Sequence, residues 1–230
     1  MTQRTPHRLI ELIEQEIVAA GAARPWDNHR TLRPLYAAGD PADCVYLIRS
    51  GVVKCERRFE GIDQPVLCIR QAGELVGEES LLGSDTYRTN AVLLTPGSLW
   101  AIPRAAFTEA ANRQPAIWRE LAELIDQFRT CQAQRFQMLQ EKGVEERLLC
   151  VLDYFAAVRQ EREATAANSG DLQEIPLTQA ELASLIGATR ETTSTTLNLL
   201  ERRGVLELRR RRIRYHHAAS NPNPVAAVAS

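Results

Sequence analysis

One capped pair of short helices constrains the fold of this chain more than any other stretch. Within Leu177–Leu200, Thr178 is a helix N-cap and Glu181 stands three residues later, the spacing of a capping box. Leu182, Leu185 and Ile186 recur at helical spacing and give one apolar face. Gly187 permits positive φ and stops that helix. Thr189 caps a second helix, whose Leu197 and Leu200 fall on one side. The outward side of that helix carries Arg190, Glu191, Ser194 and Thr195 near its N-terminal end. Such residue types match base edges: Arg forks onto guanine O6 and N7, Glu accepts from cytosine N4, and a Thr methyl meets the thymine methyl. The run Thr192–Thr196 is poor helix material, and its short polar side chains suit a phosphate backbone packed against them. Two readings share this pattern, a DNA-binding helix-turn-helix and a capped helical hairpin in a small bundle.

The sequence that follows favours DNA. Glu201-Arg202-Arg203-Gly204 ends the helix, 205–208 is a strand, Arg209, Arg210, Arg211 and Arg212 form a tip, and 213–215 returns. Residues 201–217 hold seven Arg and two Glu, a net +5, although the whole chain is −1. Adjacent guanidiniums repel one another and would lose hydration if buried, so they call for an anion such as phosphate. A solvated turn is the plain alternative. Beside a helix-turn-helix, a basic wing is the better account.

Composition sets the class. Of 230 residues, 44% are hydrophobic and 25% charged, ordinary for a globular chain. No apolar run approaches a membrane span, and Met1-Thr2-Gln3-Arg4 does not open a secretory signal. The five cysteines, Cys44, Cys55, Cys68, Cys131 and Cys150, are scattered, with no CxxC pair and no Cys/His cluster. Reduced thiols in a cytoplasmic protein are expected, with neither a metal nor a haem.

Along the chain, Leu9, Leu12, Ile13, Glu16 and Ile17 form a short amphipathic helix from about Arg8 to Gly21, and 27–29 reads as loop. From about 31 to 103, short apolar runs alternate with turns: Leu35-Tyr36, Val45–Ile48, Val52–Cys55, Val66–Ile69, Ala91–Leu94 and Leu99–Ile102. That spacing predicts an all-β roll, sandwich or barrel. Gly77-Glu78-Glu79-Ser80-Leu81-Leu82-Gly83 interrupts it as one helical turn, whose free amides could meet an anion. Arg88 and Thr89 follow ten and eleven positions after Glu78. An acid for ribose hydroxyls, free amides, an Arg for phosphate and a neighbouring hydroxyl would together form a cyclic-nucleotide site. A surface Glu–Arg pair of little consequence has the same residues.

From Pro115 a long helix is predicted. Ile117, Leu121, Leu124, Phe128, Cys131, Arg135 and Met138 step by four and three in alternation, a heptad seam. Trp118, Ile125, Phe136 and Leu139 add a second stripe. The seam predicts a parallel dimer, with Arg135 a misfit that could reach a carboxylate across it. A helix packed only on its own domain is the alternative. Gly143 breaks the run as a hinge, Leu148, Leu149, Leu152, Phe155 and Val158 line the next helix, 164–170 is loop, and the Ala-, Asn- and Pro-rich tail after 217 has little to bury.

The order of β-roll, anion-site turn, long helix, hinge and winged helix-turn-helix, over roughly 25–217, resembles the CRP/FNR family of bacterial transcription regulators. Gly77-Glu78 and Arg88-Thr89 look like the phosphate-binding cassette of its cyclic-AMP-binding members, and Arg190-Glu191 like its base-reading pair. Thr178 and Gln179 match positions that touch phosphates or bases. The resemblance implies an α+β chain: an effector β-roll with a short N-terminal helix (1–113), a dimerisation helix (114–142), a winged helix-turn-helix (143–217) and a disordered tail (218–230). It implies a homodimer on palindromic double-stranded DNA, RNA polymerase as partner, no membrane, and cyclic AMP or another cyclic nucleotide as effector. Gly77, Glu78, Glu79, Ser80, Arg88 and Thr89 would hold that ligand. This chain departs from the cyclic-AMP pattern in Arg88-Thr89-Asn90-Ala91 and in Thr130-Cys131-Gln132-Ala133-Gln134 of the long helix. Where the family often repeats an Arg after the Glu, it has Thr195. A regulator with an unused or altered effector site, ligand-independent or redox-set, therefore stays open. An enzyme is not expected: Glu78 and Glu79 are adjacent and point about 100° apart on a helix, and no nucleophile–base constellation is visible.

Overall fold

The structure, a computed structural model, describes residues 7–28, 32–57, 66–163, 172–209 and 212–216. Two compact units divide between Ala133 and Gln134.

The first unit opens with α1 (His7–Ile13), which runs into a π turn (Glu14–Val18). Eight strands follow: β1 (Arg24–Asn28), β2 (Arg33–Tyr36), β3 (Cys44–Ser50), β4 (Val52–Glu56), β5 (Val66–Gln71), β6 (Leu75–Val76), β7 (Asn90–Leu93) and β8 (Gly97–Pro103). They make two four-stranded sheets, ordered β1-β8-β3-β6 and β2-β7-β4-β5. All of the pairings within them are antiparallel. Alternation along β3 shows how the core is partitioned. Ile48 and the half-buried Tyr46 join Tyr36, Val53, Tyr87, Leu93 and Leu99 inside the roll. Val45 and Leu47 face the other way and meet helices, together with Leu9, Ile13, Ile17, Leu75, Ile102 and Phe107.

Two elements escape the sequence reading. Residues 27 and 28, expected as loop, belong to β1, which has poor strand residues but finds a continuous partner in β8. Helix α2 (Arg104–Arg113) follows directly on β8 and buries Phe107, Ala110 and Ala111.

Helix α3 (Ala116–Glu141) is the long helix expected. Its seam has a different use from the one predicted. Ile117, Leu121, Leu124 and Phe128 are buried in the core of their own unit, so they cannot also face a second copy. Periodicity identified a shared face correctly; the β-roll, not a partner, covers its first half. Cys131 is exposed, and Arg135 and Met138 lie in the second unit and are half-buried.

The second unit continues with α4 (Val144–Glu163), β9 (Leu172–Ile175), α5 (Gln179–Ile186), α6 (Arg190–Arg202), β10 (Leu206–Arg209) and β11 (Arg212–His216). The three strands form one antiparallel sheet, ordered β10-β11-β9. Leu148, Leu152 and Phe155 of α4 are buried, as are Leu182, Leu185 and Ile186 of α5 and Leu197 and Leu200 of α6. Tyr215 donates from its hydroxyl to Asp153, tying the sheet to α4 at 2.6 Å. Gly143 lies between α3 and α4 and its N–H donates to Glu146 at 3.2 Å. The expected tail lies outside the described residues, as does the loop at 164–170.

Candidate functional site

In the second unit, local chemistry builds the helix pair as the sequence predicts. The Thr178 hydroxyl accepts from the Glu181 N–H at 3.2 Å, and the Thr178 N–H donates back to the Glu181 carboxylate at 2.7 Å. Gly187 ends α5 at φ 61°, the left-handed conformation that suits glycine. A Cβ there would come within 3.1 Å of Leu139. Thr189 caps α6, accepting from the Thr192 N–H at 3.1 Å.

Those caps present a polar first turn outward. Arg190, Glu191 and Thr195 are exposed and Ser194 is half-buried, while Thr178 is exposed and Gln179 half-buried at the start of α5. Glu191 is held below the usual carboxylate range by its own backbone N–H, then by Thr189 and Arg190, so it is an ionised acceptor at neutral pH. The threonine run is only partly what its composition implied. Thr193 is fully buried and donates to the Thr189 carbonyl at 2.9 Å, so that hydroxyl cannot meet a phosphate backbone. Thr195 and Thr196 likewise donate to carbonyls one turn back, so both hydroxyls have partners within the helix.

Beside α6, β10 and β11 form the wing. Arg209 is exposed and pairs with Glu207 at 3.2 Å. Arg210 and Arg211, the tip of the expected basic patch, lie outside the described residues, and Arg212 opens β11.

Arg135 of α3 turns to α5: its Nε donates to the Leu185 carbonyl at 3.1 Å and its Nη2 to the Ser184 carbonyl at 3.4 Å. Arg147 donates to the Ile186 carbonyl at 2.8 Å. Two guanidiniums thus satisfy the orphan carbonyls at the C-terminal end of α5, where the helix dipole favours cations.

In the first unit the anion-site turn is a 3-10 helix, Glu78–Ser80, entered through Gly77 at φ 80°. A Cβ on Gly77 would approach the Tyr87 ring to 2.9 Å, so both the conformation and the space require glycine. Tyr87 stacks on Tyr36 with centroids 3.7 Å apart. The Ser80 N–H is not free as expected, because it donates to the Gly77 carbonyl at 3.0 Å. Glu79 points back and accepts from the Arg88 N–H at 3.1 Å, fixing the approach of Arg88, whose side chain is exposed. The Tyr36 hydroxyl is hydrogen-bonded with Thr89.

Glu78 does not await a distant arginine. It pairs with Arg70 of β5 at 3.6 Å. Burial pushes the Glu78 carboxyl above the ordinary range, and Arg70 opposes that shift. The Arg70 guanidinium carbon lies 3.3 Å from the Phe128 ring centroid, a cation–π contact with α3. The sequence reading missed Arg70. The signal was present in strand alternation, because Cys68 and Arg70 share one face of β5.

Two buried polar atoms here, Arg70 Nε and Ser80 Oγ, have no hydrogen-bond partner. Buried groups are rarely left so.

A sheet roll with a cassette-like turn, joined by a long helix to a capped helix pair with a wing, is the architecture of a ligand-responsive DNA-binding protein. Residues 31–114 match the cyclic nucleotide-binding domain and residues 146–219 the Crp-like helix-turn-helix domain. The chain is 30% identical to the cyclic AMP receptor protein of Thermus thermophilus over 181 residues, 76% of each chain. It is 25% identical to the fumarate and nitrate reduction regulatory protein of Vibrio cholerae over 175 residues, 76% of this chain and 68% of that protein. Its fold is shared with the c-di-GMP responsive global regulator CLP of Xanthomonas campestris, with a TM-score of 0.70 at 21% identity over 91% of this chain and 99% of that one. The chain belongs to the CRP/FNR family of transcription regulators. It is a DNA-binding regulator whose sensing domain is built like a cyclic nucleotide-binding domain. No helix among the described residues is long and apolar enough to cross a membrane.

Proposed function

We propose that this regulator acts in the cytoplasm as a homodimer on palindromic double-stranded DNA, without catalytic activity, and that it works through RNA polymerase. The observation that carries the DNA reading is the first turn of α6. Thr189 fixes its start, Arg190 and Glu191 stand exposed on it, and Leu197 and Leu200 anchor its opposite face. Arg190 forks onto a guanine and Glu191 accepts from a cytosine, with Ser194 and Thr195 reading further along. Thr178, Gln179 and the wing arginines hold phosphates. Two-fold symmetry sets the half-sites about one helical turn apart.

For the dimer, the face of α3 turned away from its own core is the one available. Ala122, Arg129 and the 65%-exposed Phe136 repeat at heptad intervals there, with Ile125 and Gln132 between them. Gly143 serves as the joint before α4.

The effector is a cyclic nucleotide, with Gly77, Glu78, Glu79, Ser80, Arg88 and Thr89 around its phosphate and ribose. A specific observation also favours a second reading, a regulator that needs no nucleotide: Arg70 already engages Glu78. Titration calorimetry with cyclic AMP and cyclic GMP separates the two, since heat with either supports the first. Operator binding of full strength without ligand, and no heat, supports the second.

The test of the DNA reading is a binding-site selection with Arg190→Ala. Loss of preference at one base pair per half-site is expected, at a cost of about 1–3 kcal/mol. An unchanged selected sequence would falsify the assignment of α6.

A further inference from the structure

Two cysteines oppose each other inside the effector domain, and neither belongs to the site described above. Cys55 of β4 and Cys68 of β5 are direct partners in the antiparallel register. Opposed residues in such a pair have Cα atoms about 4.5 or 5.5 Å apart, and a disulfide spans about 4.4–6.8 Å. Cys55 is buried and Cys68 packs against the same cluster inside the roll. The register slips by one residue just beyond them, where Glu56 pairs with Val66, and a bulge of this kind adds local twist. Among the described residues β5 is the outer strand of its sheet, and Cys68 is the less buried of the two. Arg70 stands two residues along the same strand.

The two thiols are chemically unequal. The hydrogen bond between them and burial push Cys55 up, while Cys68 is held below the ordinary thiol range by the hydrogen bond from Cys55 and then by Arg70. Cys68 is therefore the attacking sulfur, since the thiolate is the nucleophile in exchange. A shared metal ion is a poorer account. Zinc takes four ligands, and among the described residues no group of three His, Cys, Asp or Glu could hold a metal.

We propose that Cys55 and Cys68 form a reversible modification site that closes to a cross-strand disulfide by exchange with low-molecular-weight disulfides. The Cys68 thiolate attacks one sulfur of the small disulfide, forming a mixed disulfide and expelling one small thiolate. Cys55 gives its proton to that thiolate and attacks the Cys68 sulfur, which breaks the mixed bond and expels the second. The protein loses two electrons and two protons, and one small disulfide becomes two thiols. This inference stands whether or not a nucleotide binds.

The test uses the full chain in two forms, unsubstituted and with Cys44, Cys131 and Cys150 changed to Ser. Each is equilibrated in glutathione buffers from fully reduced to fully oxidised, acid-quenched, alkylated and peptide-mapped. A peptide linking Cys55 to Cys68 should grow with the oxidised fraction in both forms, disappear on adding dithiothreitol, and be absent from Cys68→Ser. The unsubstituted chain decides the matter even if the triple variant fails to fold. A persistent glutathione adduct on Cys68, a link to another cysteine, or two alkylatable thiols in buffers that close a reference peptide dithiol would each overturn the proposal.

Discussion

Replacing Arg135 by Met keeps most of the side chain's length and removes its charged fork. In the structure that fork holds the carbonyls of Leu185 and Ser184, at 3.1 and 3.4 Å. A hydrogen bond from a charged donor contributes about 1.5–3 kcal/mol, and a cation at a helix C-terminus about 0.3–1 kcal/mol. The longer of the two bonds is weak, the site is half-buried, and Arg147 still holds the Ile186 carbonyl, so the expected loss is about 2 kcal/mol. At about 1.4 kcal/mol per decade, that is roughly a thirtyfold rise in local opening. Amide hydrogen exchange reads it directly, because the Gly187 and Ala188 N–H groups donate to carbonyls in the last turn of α5. Exchange at 183–188 should quicken by about that factor, with the β-roll amides unchanged. Arg135→Lys should recover only part of the loss, since an ammonium cannot span two carbonyls as a guanidinium does. If 183–188 keep full protection in Arg135→Met, or if both units lose protection equally, the capping role is wrong.

Three further outcomes are expected. Arg209→Ala with Arg212→Ala should weaken binding to all sequences alike and reduce the salt slope by about 0.9 for each phosphate no longer neutralised, which operator titrations at several salt concentrations will show. Gly143→Ala should leave urea stability within about 0.5 kcal/mol, because a Cβ there meets nothing within 4 Å and no positive φ demands glycine; a shift in ligand response at constant stability would mark the joint as functional. Burial raises Glu74 and Glu78 above 4.5, so their contribution to stability is full below the unfolded value and lost as pH rises through the raised folded ones. Glu78→Gln should therefore flatten the pH dependence of the urea midpoint over that window, and a curve parallel to that of the unsubstituted chain would contradict the burial argument.

The helix pair was legible because its determinants are local. Thr178 with Glu181, Gly187 and Thr189 each act within one turn, and the structure uses all of them as caps. Strand β1 was not, because Arg24–Asn28 owes its conformation to a partner in β8 more than 60 positions later. The seam of α3 shows a different limit. Spacing fixes which side chains share a face, but what covers that face depends on where Leu9, Ile102 and Phe107 come together in the fold. Around the turn at Glu78, spacing singled out Glu78 and Arg88, whereas Arg70, which pairs with Glu78, is reached only once strand alternation is carried one residue further. Thr193 marks the same boundary on α6: composition says polar, and only packing says buried.

The Phe128 ring carries one consequence beyond its share of the core. It faces a guanidinium that also answers to Glu78, so the aromatic quadrupole and the carboxylate compete for a single cation. An incoming phosphodiester would enter that contest as a third party and draw the cation off the ring. The long helix would register the change at one turn of its length, converting a neighbour's electrical state into a mechanical displacement without touching the newcomer.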